Sequence, residues 1–333
     1  MTTGFSWNLI SDVREILSFH FMLNAMRAGT VVAVVCGAIG YFMVLRRQSF
    51  AGHTLAVVGF PGAAAATWLG LNAGLGYFGS CLLAALVIAV LPGGGRAGGT
   101  GGSSEESAAI GTLQGFALAC GFLFVSLYQG FLSGLTSLLF GSITGITDGQ
   151  VLVLLGAGVL CLVTLAMIGR PLLFATVDAE VARARGLRVR LLSAGFLLLL
   201  AVAVAGASQV TGSLLVFALL VAPAATALRL TARPALGLLI SIAVALLVTW
   251  LGEGIAFFTP YQIGFWVTTL AFAAFLLAII GRGLIDRRAG RVDRRAGRGD
   301  RRAGRAGWRV GGADRRVGGV QPAADPAVRT EQL

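Results

Sequence analysis

Phe21–Leu45, FMLNAMRAGTVVAVVCGAIGYFMVL, is an almost uninterrupted apolar run in which Arg27 is the one charged residue. A helix rises about 1.5 Å per residue, so this run is long enough to cross the roughly 30 Å hydrocarbon core of a bilayer. Arg46 and Arg47 follow it directly. The stretch therefore predicts a membrane-spanning helix that ends in positive charge.

The composition of the whole chain agrees with this first run. Of its 333 residues, 56% are hydrophobic and only 12% are charged, and the mean hydropathy is +0.86. A soluble globular chain carries about 25% charged residues. The composition excludes an ordinary soluble protein and predicts an all-α, polytopic membrane helix bundle.

Eight further apolar runs bring the prediction to about 8–9 transmembrane helices. The run at 213–228 is short and contains Pro223, so it is predicted either to cross the membrane or to fold back as a broken helix. The further runs are Thr54–Leu71, Leu75–Leu91, Ala108–Tyr128, Val151–Ile168, Leu191–Val210, Ser213–Leu228, Ala235–Phe257 and Ile263–Ile280.

Arginine clusters follow the first, third, fifth, seventh and ninth runs, which places all of them on one side of the membrane. Positive charge collects on the cytoplasmic side of membrane proteins. The pattern predicts an external N-terminus, against which only Arg14 and Arg27 argue.

The chain divides into a leader (residues 1–20), a membrane domain (21–281) and an arginine-rich tail (282–333). The tail holds 14 arginines and six acids, and repeats a heptad that begins at Asp286, Asp293 and Asp300. Since the heptads have almost no apolar residues beyond Ala, the tail is predicted to be disordered. It is interpreted either as an expanded repeat or as a segment attracted to anionic lipid. Because much of the net charge of +12 lies there, a nucleic-acid partner is not indicated.

Ionisable residues inside predicted spans are functional candidates, because a charge in the bilayer is costly. His53, at the cytoplasmic start of the second span, is predicted either to bind a transported metal or relay a proton, or else to cap its helix or face water at the interface. Glu253, near the external end of its span, is predicted to reach water. Pro61, Gly62 and Pro223 are predicted to break helices along a translocation pathway. The sequence contains no catalytic constellation and no phosphate-binding loop, so no enzyme activity is predicted.

Residues 176–187, between the fifth and sixth spans, predict a short cytoplasmic helix. Acids come early and bases late, as the helix dipole favours, and a glycine ends the segment. From physics alone it is either a docking helix for a partner or a well-formed loop. The residues concerned are Asp178, Glu180, Arg183, Arg185 and Gly186.

This segment and three other stretches resemble the permeases of ABC-type importers of zinc, manganese and iron, with a type II-like helix bundle. The four stretches occur in the family's order. They are Phe42–Gly62 (FMVLRRQSFAGHTLAVVGFPG), Leu138–Gly145 (LLFGSITG), Ala175–Leu192 (ATVDAEVARARGLRVRLL) and Gly212–Ala227 (GSLLVFALLVAPAATA).

The resemblance implies a permease homodimer in a bacterial plasma membrane. It further implies a cytoplasmic ATPase docked on residues 176–187, where ATP is hydrolysed, and an extracytoplasmic metal-binding protein that delivers the ion. Family members usually carry Asp and, four residues later, His where this chain has His53 and Val57. Imidazole in place of carboxylate favours zinc over manganese, so zinc is the first expectation, and manganese or iron the second.

Three alternative functions explain fewer features of the sequence than a metal permease does. A proton-coupled secondary transporter could use His53 or Glu253, but it would need a midplane carboxylate and usually two matching halves. A membrane enzyme lacks its catalytic groups, and a docking protein with a basic tail leaves residues 176–187 unexplained.

Overall fold

The computed structural model describes residues 18–91, 103–127, 145–259 and 261–284, and within these ranges the regular structure is entirely helical. Each of the nine apolar runs coincides with one helix, and a short helix lies between the fifth and sixth. The helices in these ranges are α1 (His20–Leu45), α2 (Ser49–Trp68), α3 (Ala73–Val90), α4 (Ser103–Leu127), α5 (Asp148–Val177), α6 (Ala179–Ala184), α7 (Val189–Thr211), α8 (Ser213–Leu230), α9 (Pro234–Phe258) and α10 (Ile263–Leu284).

Seven of the described helices are long and apolar enough to cross a membrane, namely α1, α3, α4, α5, α7, α9 and α10. The helix α2 is not among these seven; its 20 residues include three Gly, two Thr, Pro61 and His53, which lower its hydropathy. The helix α8 has 18 residues, the same length as α3, and its stretch Val216–Leu230 is a shorter apolar helix. The predicted all-α, multi-pass bundle is confirmed, and its helix count is close to the predicted one.

The helix α1 lies at the centre of the bundle, where it contacts α5, α7, α8 and α9. Of its most apolar 18 residues, 72% are buried, against 17% in α4, so α4 lies at the periphery of the bundle. Glycines allow the close approach: the backbone of Leu220 in α8 lies against Gly40, and Ser241 in α9 donates a hydrogen bond of 2.7 Å to the carbonyl of Gly37. Small residues at helix contacts are typical of membrane bundles.

Contacts between helix ends identify the two faces of the bundle. At one end, His20 of α1 lies 3.4 Å from Asp148 at the start of α5. At the other end, Arg46 after α1 contacts Thr176 of α5 and Ser193 of α7. The described arginine clusters lie at this second end, which is therefore called the inner end.

One predicted boundary is wrong, and one alternative that the sequence left open is decided. The fifth span was expected to end at Ile168, but α5 continues through Pro171 to Val177 without a break. For residues 213–228 both a crossing and a broken helix were open, and α8 continues through Pro223 to Leu230 without a break. Its N-terminus follows a buried turn: Thr211 and Ser213 are 3% and 2% exposed, and Gly212 has a φ of +79°. Residues 1–17 and 285–333, with most of the predicted leader and tail, lie outside the described ranges.

Candidate functional site

The predicted docking segment contains a short helix at the inner end, α6, between α5 and α7. It is shorter than the predicted 176–187 because Thr176 and Val177 belong to α5. Asp178 caps its N-terminus: the carboxylate accepts hydrogen bonds from the backbone N–H groups of Glu180 and Val181 at 3.0 and 2.9 Å. Gly186 ends the segment with a φ of +83°, a conformation that glycine adopts without strain.

One side of α6 is anchored and the other is exposed. Ala182 is fully buried against Ala175 and Val189, the residues of α5 and α7 that flank it. Asp178, Glu180, Arg183, Arg185 and Gly186 are all exposed. Val177 and Val181 add exposed apolar surface beside these charges, at 87% and 42% exposure. The segment thus presents a mixed apolar and charged face at the inner end.

His53 is the fifth residue of α2, close to the inner end. Its ring packs edge-on against Phe217 of α8 with 4.8 Å between the ring centres, and both residues are half-buried. Nδ1 is buried and has no hydrogen-bond partner in the described residues. Within those residues no group of three His, Cys, Asp or Glu side chains could hold a metal. One chain therefore offers a single imidazole here, too few ligands for a tight site.

The predicted helix-breaking residues lie in packed helix contacts. Gly62 faces Ser80 and Gly76 of α3, and Pro61 lies against Gly121 of α4. Pro223 is buried inside the continuous α8. Their role along a pathway stays a prediction.

The expectation that Glu253 reaches water is wrong. The residue is 1% exposed, in the contact between α9 and α1, and Oε2 has no hydrogen-bond partner in the described residues. Gly29 makes this possible, because a Cβ at that position would overlap the carboxylate. Helical periodicity could not reveal this burial, since it depends on which helix lies opposite.

Arg46 is a functional candidate that the structure reveals. In the sequence it is only one member of a charge cluster. It is 2% exposed, whereas its neighbour Arg47 is exposed. The guanidinium donates hydrogen bonds of 2.6 Å to Ser193 Oγ and 3.3 Å to Thr176 Oγ1, and it lies 5.6 Å from the ring centre of Phe196. Burial lowers the pKa of Arg46 to about 10, so it remains charged at neutral pH.

Comparison with known protein families agrees with the helical membrane fold. A sequence model of the ABC 3 transport family matches residues 18–282. This chain belongs to the ABC 3 transport family. The match covers the described bundle from the start of α1 almost to the end of α10.

Relatives of this ABC 3 protein include metal permeases. The manganese transport system membrane protein MntC of Halalkalibacterium halodurans is 30% identical over 226 residues, which are 68% of this chain and 75% of that protein. The chelated iron transport system membrane protein YfeC of Yersinia pestis is 31% identical over 261 residues, 78% of this chain and 86% of that protein. The solved structure of PsaBC from Streptococcus pneumoniae in complex with Fab matches with a TM-score of 0.71 at 26% identity, covering 81% of this chain and 95% of the matched one.

These findings confirm the resemblance on which the sequence analysis relied. The ABC 3 protein is a multi-pass membrane permease of the metal-ion ABC importer kind, and so a transport subunit. Sequence motifs were sufficient to recognise the family, because each motif is a continuous stretch of the chain. The hydrogen-bond partners of Arg46 are far from it in the sequence, so no local pattern distinguishes Arg46 from Arg47.

Proposed function

We propose that this chain forms the translocation pathway for a divalent transition metal, that two copies make a permease dimer, and that α6 docks a separate cytoplasmic ATPase. The observation that carries the proposal is the geometry of α6. A capped helix is anchored through Ala182 between two long helices and presents charged and apolar side chains at the inner end. A partner's force on such a helix would pass directly to α5 and α7.

The other partners follow from the transport class. An extracytoplasmic binding protein would deliver the ion at the outer end, and ATP would bind to and be hydrolysed on the partner ATPase. The metal is cargo for this chain, and no resident cofactor is proposed. Asp178, Glu180, Arg183, Arg185 and Gly186 would make or support the ATPase contact.

Manganese or iron is the first candidate for the cargo. The relatives described above are named for those metals and share about 30% identity with this chain. Zinc is the second candidate, because the imidazole of His53 is a ligand that zinc accepts readily. Since one chain offers too few ligands, His53 would act with its counterpart across the dimer and hold the ion only briefly.

Cellular metal content tests the function. Total manganese, iron and zinc would be measured by elemental mass spectrometry in a deletion strain grown under metal limitation, and in strains complemented with wild type, Glu180→Arg or Arg233→Glu. We expect one metal to fall in the deletion, to return with wild type, and to stay low with Glu180→Arg. Arg233→Glu reverses an exposed inner-end charge outside α6 and should restore uptake.

Each outcome has a definite meaning. If no metal changes in the deletion strain, the importer function is wrong. If Glu180→Arg restores uptake as well as wild type does, the docking role of α6 is wrong while the transport function stands. A fall in zinc alone would make zinc, and not manganese or iron, the cargo.

A further inference from the structure

The inner ends of three helices meet around one buried cation. Arg46 follows α1, Thr176 lies two residues before the cap of α6, and Ser193 lies in the first turns of α7. The two hydroxyls therefore belong to the two chain segments that enter and leave α6. The Arg46 side chain bonds both of them at once.

Within the described ranges, this cation has no carboxylate partner. Among the residues that the structure describes, no acidic group lies within ion-pair distance of Arg46. Its described polar side-chain contacts are Thr176, Ser193 and Gln48, the last at 3.4 Å, and the face of Phe196 completes the surroundings. Burying a charge on neutral partners costs stability, and an apolar side chain of similar size would fill the space at lower cost. Packing alone therefore does not explain an arginine here.

Arg46 is also rigidly connected to α2. Backbone hydrogen bonds close a tight turn at Arg46–Gln48: the N–H of Arg47 donates to Val44 and that of Gln48 donates to Met43. Arg47 holds a φ of +58°, and α2 begins at the next residue after Gln48. A displacement of Arg46 must move the start of α2, where His53 packs on Phe217.

We propose that Arg46 is a positioning residue that transmits movement of α6 to α2, and so couples the ATPase to the metal pathway. The inference rests on the proposed function, because it takes α6 as the ATPase contact. Bonds from a guanidinium to hydroxyls are charge-assisted and directional, so a shift of either hydroxyl changes the position that Arg46 prefers. Spatial connection alone does not demonstrate coupling, so the test measures coupling directly.

The experiment uses the complete complex of permease, ATPase and binding protein in proteoliposomes, with Mn²⁺ as the probe. Three quantities are measured for wild type, Arg46→Gln and Arg47→Gln: basal ATPase rate, its stimulation by the metal-loaded binding protein, and metal ions transported per ATP hydrolysed. Arg47→Gln is the matched control. It removes the same charge from the neighbouring residue, which is exposed.

We expect Arg46→Gln to retain the ATPase subunit and its basal rate, and to lower the ratio of metal to ATP at least tenfold. Arg47→Gln should keep the wild-type ratio. A merely structural role would lower thermal stability or the yield of complex and leave this ratio unchanged, and that result overturns the proposal. Arg46→Lys keeps the charge without the two-armed geometry and should restore the ratio only in part.

Single-bond variants keep the test decisive if Arg46→Gln fails to assemble. Ser193→Ala and Thr176→Val each remove one hydroxyl and should lower the ratio by smaller factors. A wild-type ratio in both overturns the proposal. Failure of the wild-type complex to transport Mn²⁺, Fe²⁺ or Zn²⁺ would instead refute the proposed function.

Discussion

Under the proposed function, His53 is the side chain through which cargo selection can be tested. Its half-buried imidazole faces Phe217, and Nδ1 has no partner in the described residues. Replacing it by the carboxylate that the family usually carries would exchange a nitrogen ligand for a hard oxygen ligand, which suits manganese better. We expect His53→Asp to raise the ratio of manganese to zinc uptake several-fold, measured with both ions in competition. His53→Ala should reduce uptake of either ion, and unchanged uptake would remove His53 from the pathway.

The contact between Glu253 and Gly29 can be tested by its contribution to protein stability. Because a Cβ at Gly29 would overlap the Glu253 carboxylate, Gly29→Ala should destabilise the protein by about 1–3 kcal/mol. The same substitution should cost much less in a Glu253→Ala background, where the space is free. Thermal unfolding of the four proteins in detergent gives the double-mutant cycle. Strictly additive effects would contradict the contact.

At the scale of the element, α6 depends on its cap. Asp178→Ala removes the acceptor for two backbone N–H groups, a loss of about 1 kcal/mol. If α6 docks the ATPase, that loss should weaken ATPase binding by roughly fivefold. Asp178→Asn keeps the cap without the charge and separates the two contributions: binding close to wild type indicates that capping matters, and binding as weak as Asp178→Ala indicates that the charge does. Co-purification titrations would measure both, and wild-type binding by Asp178→Ala would contradict the prediction.

The helices α1 and α8 show how elements acquire their positions. The close contact between Gly40 and the backbone of Leu220 requires a residue without a side chain on α1. Small residues in an apolar run are typical of membrane helix contacts, but they do not indicate which helix is the partner. Nor could the sequence place the start of α8 at a buried turn, because burial of Thr211 and Ser213 comes from neighbouring helices.

At the scale of the whole molecule, orientation is the first property to test. A cysteine replacing Leu75, 67% exposed in the first turn of α3, should react with a membrane-impermeant reagent from outside the cell. A cysteine replacing Val181 in α6 should react only after the cytoplasmic side is opened. Cys120 would be changed to Ser first, since the other three cysteines are buried. The opposite labelling pattern would invert the proposed topology.

The second question about the whole molecule is whether the tail, residues 282–333, contributes to transport. Its composition predicts disorder, and its 14 arginines could attract anionic lipid. A chain truncated after Leu284 should transport metal within about twofold of wild type if the segment is only an expanded repeat. A larger loss in cells that express equal amounts of protein would favour the lipid interpretation.

The class of protein, the approximate positions of its helices, the side on which arginine collects and its family could all be predicted from the sequence. They follow from hydropathy, charge and contiguous motifs, which are local properties of the chain. Which charged residues are buried could not be predicted in this way: Arg46 and Glu253 are buried, and Arg47 is exposed. Arg46 bonds residues 130 and 147 positions away, and Glu253 fits against a glycine on another helix, so their surroundings exist only once the helices have packed.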